Sequence, residues 1–136
     1  MERRLISTGT RFEVELGYSR AVLVGEHVYT AGCAPAMPDD ADPPADTYGQ
    51  TRRCLERIGE ALTQAGGSFR DVVRTRAYLT PEADFDAFGR AHGEIFRDVR
   101  PANTTVIIHA LVDPRWHLEI EVDAVLPAAS GVDSSP

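Results

Sequence analysis

The sequence predicts an α+β fold in which a mixed β-sheet carries two helices on one face. From His117 to Val125 apolar and polar residues alternate strictly, which is typical of a strand with one buried face and one polar face. Two capped amphipathic segments predict helices over about 46–65 and 84–97. The other apolar runs are short and β-rich, so the predicted order is β, β-hairpin, α, β, α, β, β.

Composition indicates one globular domain of ordinary size. The chain has 136 residues, of which 43% are hydrophobic and 26% charged. We expect a single domain over residues 1–126, followed by a small, polar, disordered tail over 127–136. No apolar run approaches a membrane span, and the start lacks the apolar core of a secretory signal, so a cytoplasmic location is expected.

The charged residues exclude several function classes. The net charge is −7, which disfavours nucleic acid as a partner. Every basic residue is arginine and none is lysine, so Schiff-base, pyridoxal and P-loop lysine chemistry are excluded. Cys33 and Cys54 have no CxxC spacing and are expected to be buried thiols.

The first third of the chain is predicted to form a short strand and a hairpin. The strand covers 4–7, and a polar linker follows over 8–15. Two β-rich runs, 19–24 and 27–31, flank Gly25-Glu26, which favours a hairpin turn. Residues 35–44 are rich in proline and aspartate and are expected to form a surface loop.

Both helices have start signals and apolar stripes. The first begins at Asp46 or Thr47 and ends at Gly66-Gly67, and the second begins at Asp84. The stripe predicted to face the sheet from the first helix is Thr51, Leu55, Ile58, Leu62 and Ala65. The corresponding stripe of the second helix is Phe85, Phe88, His92, Ile95 and Phe96.

The strands around these helices have two dissimilar faces. The strand over 72–80 is predicted to place Thr75, Ala77 and Leu79 on one face and its two arginines and Tyr78 on the other. Strands over 104–111 and 118–125 are predicted to be joined by a short proline-containing turn. The second sheet face carries too much apolar surface for a monomer, so a symmetric oligomer is expected to cover it.

The order of these elements and several short strings resemble the RidA/YjgF family, also called reactive intermediate deaminases. Together the strings cover about residues 17 to 125. They are Gly17 to Val22, Val28 to Gly32, Gln50-Thr51 to Gly66, Asp71 to Thr75 with Tyr78-Leu79, Pro101 to Thr104, and Leu118 to Glu121.

The resemblance implies a chorismate-mutase-like fold. It also implies a homotrimer with a barrel-like centre and with sites in the clefts between subunits. Members with the full motif hydrolyse enamines and imines to a carbonyl compound and ammonia, without a metal or organic cofactor. Their Pro-Ala-Arg-Ser motif holds the substrate carboxylate through a bidentate arginine.

This chain departs from that motif at several positions. Asn103 stands where the family has the arginine, and an asparagine cannot supply its charge. Gly89 and His92 stand where the family commonly has asparagine and tyrosine, and Cys33 replaces its usual glutamine. The positions that the family pattern retains are Tyr18, Ala31, Gly32 and Glu119.

Glu119 is the candidate catalytic residue, because a partly buried carboxylate can position water and supply a proton. The alternative is an ion pair with Arg74 or Arg76 across the sheet. The candidate substrate-binding residues are Asn103, Tyr18, Ala31, Gly32, Cys33, Gly89 and His92.

Simpler roles stay open for three of these binding candidates. Asn103 also suits a turn, Tyr18 also suits the core, and His92 is more typical of a satisfied semi-buried histidine.

Two further possibilities carry less weight. Arg76 or Arg100 is a candidate replacement for the lost guanidinium. His117, Glu119 and Glu121 share one strand face, but this spacing is common by chance and no metal site is predicted.

Three functions are compatible with the sequence. The first is cofactor-free hydrolysis of an enamine or imine that is not a simple 2-imino acid. The second is a non-catalytic trimeric module that binds a metabolite. The third, a ribonuclease, is the least favoured because the chain is acidic and has no lysine.

Overall fold

The computed structural model describes residues 2–128, which form one six-stranded sheet with two long helices on one face. The strands are β1 (Arg3–Ile6), β2 (Ala21–Val24), β3 (His27–Thr30), β4 (Val72–Leu79), β5 (Ala102–Ile107) and β6 (Leu118–Val125). The helices are α1 (Arg11–Leu16), α2 (Thr47–Ala65) and α3 (Phe85–Phe96). Short 3₁₀ turns cover Pro38–Asp40 and Phe69–Asp71.

The strand order across the sheet is β1-β2-β3-β6-β4-β5. Every pair is antiparallel except β4 and β5, which run parallel and are connected through α3. The predicted α+β sheet with two helices on one face is therefore confirmed. The hairpin at Gly25-Glu26 is also confirmed, with Val24 paired to His27.

The core lies between the sheet and α2 with α3. The side chains of Leu118, Ile120, Val122 and Ala124 on β6 are all buried, which confirms the predicted alternation. The whole predicted stripe of α2 is buried as well. Asp46 caps α2 by accepting a hydrogen bond from the Gly49 amide, and Gly66 ends it with a φ of 95°.

Three predictions about local structure are wrong. Residues 11–16 form the short helix α1 inside the predicted linker; its three apolar side chains are largely exposed, so no inward stripe was visible in the sequence. Phe85 is 58% exposed and does not belong to the inner stripe of α3, because it is the first residue of that helix. The strand predicted over 104–111 lies instead at Ala102–Ile107.

The prediction of a short turn between the last two strands is also wrong. Residues 108–117 form a longer connection, and β4 lies between β5 and β6. The crossover through α3 places β5 beside β4, while β6 takes the other edge of β4. Alternation predicts which face a residue points to, but it does not predict which strands pair.

The sheet face opposite the helices is largely open. Leu5, Tyr29, Val106 and Val125 lie on it, with exposed fractions of 37% to 59%. No helix within residues 2–128 has the length and apolarity needed to cross a membrane. The tail predicted over 127–136 lies outside the described residues except for 127 and 128.

Candidate functional site

Glu119 lies on the open sheet face, directly beside Gly32. The backbone of Cys33 pairs with Ile120 in both directions, at 2.7 and 3.0 Å, and this bridge aligns the two segments. A Cβ atom at Gly32 would collide with Oε1 of Glu119 and lie 2.8 Å from its Cδ. A side chain at position 32 would therefore displace this carboxylate from its position.

The three carboxylates on the polar face of β6 have different partners. Glu121 receives Nη1 of Arg76 and the hydroxyl of Tyr78, both at 3.1 Å. Asp123 lies 3.4 Å from Nη2 of the same arginine. The carboxylate of Glu119 makes no hydrogen bond or ion pair with any residue in 2–128, so the predicted alternative of a pair with Arg74 or Arg76 is not observed.

The environment of Glu119 acts on its proton affinity. Burial raises the pKa of Glu119, the charges of Arg20 and Arg57 lower it, and the charge of Glu121 raises it. The net direction is upward from the ordinary value of a glutamate. A half-buried carboxylate of this kind can exchange protons with water more readily near neutral pH.

Tyr18 and Ala31 lie on the same side of the sheet as Glu119. Both line a groove of about 590 Å³ on the open face, together with Ser19, Val22 and Tyr29. Cys33 is fully buried and its thiol pKa is raised by burial, so its side chain belongs to the core. The Cys33 backbone still fixes the position of Gly32.

Sequence reasoning missed Arg20, which is only 5% exposed. Its Nη1 donates to the carbonyl of Gly32, the residue beside Glu119, at 2.9 Å. No sequence signal distinguishes this arginine, because its partner lies twelve residues away, beyond the end of β3.

Asn103 lies at the far edge of the sheet and is bonded within the chain. Its Nδ2 donates to Oγ1 of Thr75 at 2.9 Å, and its Oδ1 accepts from Oγ1 of Thr105 at 3.0 Å. Oγ1 of Thr75 is also 3.0 Å from Nε2 of His92. We call Asn103, Thr75 and His92 the Asn103 network.

The protonation of His92 follows from this network and from burial. Burial lowers the pKa of His92, so the neutral ring is favoured at neutral pH. A neutral ring with its proton on Nδ1 can accept from the Thr75 hydroxyl, while that hydroxyl accepts from Asn103. Gly89, one turn earlier on α3, is exposed and has no atom within 4 Å of a built Cβ.

Within one chain, Glu119 and Asn103 do not meet. Glu119 pairs with Tyr78, and Tyr78 pairs with Val106, three residues beyond Asn103. The two positions are therefore about 10 Å apart along the strands and two strand spacings apart across them. Glu119 points to the open face, whereas Asn103 points to the same side as the buried Thr75.

The remaining candidates have other partners. Arg76 is engaged by Glu121 and Asp123, which leaves it unsuited to replace the lost guanidinium. Arg100 is exposed and has a φ of 58°. Nδ1 of His117 lies 2.8 Å from Oγ1 of Thr47 and so points toward the start of α2, away from Glu119 and Glu121.

Comparison with known proteins assigns this chain to a family. The family model described as Endoribonuclease L-PSP matches residues 8–126. The chain belongs to this family, which is the RidA/YjgF family. The resemblance inferred from the sequence is thus confirmed.

Individual relatives agree with this assignment. The structure of Rv2704 from Mycobacterium tuberculosis, a YjgF/YER057c/UK114 family member, has a TM-score of 0.83 and 39% identity, covering 92% of this chain and all of that one. The 3-aminoacrylate deaminase RutC of Acinetobacter baylyi is 35% identical over 76% of this chain and 82% of its own length. The 2-iminobutanoate/2-iminopropanoate deaminase of Capra hircus is 32% identical over 90% of each chain. Deaminases of enamine or imine compounds therefore occur among the relatives.

Proposed function

We propose that this protein is a cofactor-free hydrolase that deaminates an enamine or imine intermediate. The observation that carries the proposal is the carboxylate of Glu119, which is half-buried beside Gly32 and free of partners among the described residues. The names of the RutC and Capra hircus relatives support the reaction class. Neither name fixes the substrate of this chain.

The reaction requires only water and one group that moves protons. In the proposed step, Glu119 takes a proton from a water molecule while the oxygen attacks the imine carbon. Glu119 passes this proton to the imine nitrogen, which gives a neutral carbinolamine. Glu119 then carries the hydroxyl proton of the carbinolamine to the same nitrogen, so the carbon–nitrogen bond breaks and ammonia leaves as the carbon–oxygen double bond forms. A single carboxylate with a raised pKa suits both transfers, because it can accept the first proton and return it. No metal or organic cofactor enters this scheme.

The substrate is proposed to be something other than a simple 2-imino acid. Asn103 provides no charge for a carboxylate, and its amide is already bonded to Thr75 and Thr105. One N–H of Asn103 stays available for a neutral carbonyl or amide group. The proposed lining of the site is Tyr18, Ala31, Gly32 and Cys33 beside Glu119, and Gly89 and His92 beside Asn103.

These two sets of residues are proposed to meet in a homotrimer. The open sheet face exposes apolar side chains of four strands, which a second copy can cover. Because Glu119 and Asn103 are far apart within one chain, a complete site needs Glu119 from one subunit and Asn103 from its neighbour. We place this trimer in the cytoplasm, with no nucleic acid or membrane partner.

The test is an assay of the purified protein on 2-aminoacrylate and on larger, uncharged imines, with ammonia release as the readout. Glu119→Gln is expected to lower kcat/KM by about 100-fold or more, in the range of general acid–base catalysis. Glu121→Gln is the matched control, since it removes a paired carboxylate two residues away, and it should change the rate only a few-fold. Full activity in Glu119→Gln would remove the assigned role.

A non-catalytic binding module is the second candidate. It is favoured by the Asn103 network, which uses the amide of Asn103 to hold the chain together. Tight ligand binding without ammonia release across the same substrates would support it. Turnover that depends on Glu119 would reject it.

A further inference from the structure

Arg20 is a buried arginine directly before β2, and it contacts Gly32, the residue against which Glu119 lies. Its backbone is fixed at both ends, since its amide donates to Ile6 at 2.9 Å and its carbonyl accepts from Ala31 at 2.8 Å. Its Nη1 donates to the Gly32 carbonyl at 2.9 Å and lies 3.2 Å from Sγ of Cys33. The position of the guanidinium is therefore determined by several independent contacts.

The charge of Arg20 lacks the partner that a buried guanidinium usually has. No carboxylate in residues 2–128 lies within ion-pair distance, and its buried Nε has no hydrogen-bond partner there. The nearby Tyr18 ring, 5.8 Å from the guanidinium carbon, offers only a weak cation–π contact. Burying an unpaired charge costs several kcal/mol, so a positive charge at this position calls for an explanation.

The carboxylate that responds to Arg20 is Glu119. The two side chains approach Gly32 from different sides: Arg20 holds its carbonyl, and Glu119 fills the space that a Cβ would occupy. Their interaction crosses a single residue, and Arg20 on one side of it is buried. Coulombic effects are strong in such surroundings.

We propose that Arg20 is a positioning residue for Glu119. It fixes the backbone of Gly32 against which the Glu119 carboxylate lies, and it keeps a positive charge behind that carboxylate. The inference rests on the proposed function, in which Glu119 activates water. Arg20 itself does not touch the substrate in this scheme.

Other charged and titratable groups also face Glu119. Arg57 of α2 donates to the Ala34 carbonyl at 2.7 Å and adds a second positive charge, while Glu121 of β6 adds a negative one. Burial raises the pKa of Tyr78 on β4 and of Cys33, and the charge of Glu119 adds a smaller contribution in the same direction. Burial and Glu121 favour the protonated form of Glu119, and the two arginines oppose them.

This balance predicts a graded series of effects. Arg20→Gln removes a positive charge, so the pKa of Glu119 should rise. Arg57→Gln should raise it less, because Arg57 has the smaller effect on Glu119. Arg53→Gln is the matched control: Nε of Arg53 donates to the nearby Ala36 carbonyl at 2.8 Å, but this arginine does not affect Glu119.

The experiment is a ¹³C NMR titration of glutamate side-chain carboxyls, with the Glu119 signal assigned from its absence in Glu119→Gln. The expected result is an upward shift of the Glu119 midpoint in Arg20→Gln, a smaller shift in Arg57→Gln and none in Arg53→Gln. Arg20→Lys keeps a charge and should stay close to the wild-type midpoint. An unchanged midpoint in a folded Arg20→Gln overturns the proposal. A shift in Arg20→Lys as large as that in Arg20→Gln also overturns it, because Arg20 would then act through packing and not through its charge.

A reciprocal measurement covers the case in which Arg20→Gln does not fold. In the wild-type protein, the ¹⁵N signal of Arg20 Nε should move with the same midpoint as Glu119, and this movement should vanish in Glu119→Gln. An Arg20 signal that ignores the ionisation of Glu119 overturns the proposal. Both titrations are independent of turnover, so loss of the proposed deaminase activity and loss of this coupling are separate outcomes.

Discussion

The sequence identifies both Glu119 and Asn103 as candidate site residues. They lie in two regions of one sheet, and their surroundings differ. Glu119 has no partner in residues 2–128. It lies against Gly32, whose lack of a side chain leaves space for the carboxylate. Asn103 bonds to Thr75 and Thr105, and through Thr75 it reaches His92. Glu119 is free to act on water or a substrate, whereas Asn103 joins two strands through Thr75 and keeps one N–H for a substrate. The first region is therefore suited to chemistry, and the second combines a structural role with substrate contact.

The largest effect is expected from Gly32→Ala. The new methyl would overlap Oε1 of Glu119 and displace the carboxylate, so kcat/KM should fall by about 100-fold while the fold is kept. Steady-state assays and circular dichroism measure the two effects separately. Gly93→Ala in α3 is the control, because nothing lies within 4 Å of a Cβ there. Wild-type rates in Gly32→Ala would contradict a fixed position for Glu119.

Thr75→Val probes the other region through its stability. Thr75 is fully buried, and its loss leaves the amide of Asn103 and the ring of His92 without their partner. We expect the free energy of unfolding to fall by about 1–3 kcal/mol, measured by urea denaturation at fixed protein concentration. Thr105→Val removes only one bond at a more exposed site and should cost less than about 1 kcal/mol. Equal costs in the two variants would argue against the Asn103 network.

His92 makes the stability of this second region depend on pH. Burial lowers the pKa of His92 below the 6.5 of an unperturbed ring. The neutral ring therefore contributes stability that is present above about pH 6.5 and is lost as the pH falls through the folded-state pKa. His92→Gln should flatten the loss of unfolding free energy between neutral and mildly acidic pH. The exposed His109→Gln should leave the wild-type slope unchanged, and an unaltered slope in His92→Gln would place the pH dependence elsewhere.

Arg76→Gln should give the smallest effect. Arg76 joins Glu121 and Asp123 on the same strand face as Glu119, but all three side chains are between 26% and 36% exposed. Exposed pairs of this kind stabilise by at most about 1 kcal/mol. Thermal melting at fixed protein concentration measures the change. A far larger loss would mean that the second copy proposed to cover the open face buries this ion pair as well.

The sequence was sufficient for much of the fold because the strongest patterns are local. Alternation along β6 and the stripe of α2 each predict a buried face without knowledge of neighbours. The order of elements also followed from these local patterns, and the family resemblance rested on it. The sequence did not predict the short helix α1 or the strand pairing around β4. Exposed apolar residues carry no inward pattern, and strand pairing depends on the connections between elements.

The sequence predicted only part of the candidate site. Glu119 and Gly32 were identified as separate positions, but their direct contact depends on the Cys33–Ile120 bridge between distant segments. Arg20 was missed, and Asn103 was assigned to the substrate without its bonds to Thr75 and Thr105. Apart from the Thr105 contact, these roles depend on distances of under 4 Å between residues that are twelve or more positions apart in the chain, which no spacing rule encodes.

The central claim is that Glu119 acts on a substrate that is not recognised through a carboxylate. It is tested most directly by kcat/KM for a matched pair, a 2-imino acid and its amide, each generated in situ with wild type and with Asn103→Arg. We predict that the wild-type protein favours the amide and that Asn103→Arg shifts the ratio toward the acid by about tenfold, as an added guanidinium–carboxylate contact would. A wild-type protein that favours the acid, with no gain from Asn103→Arg, would contradict the account.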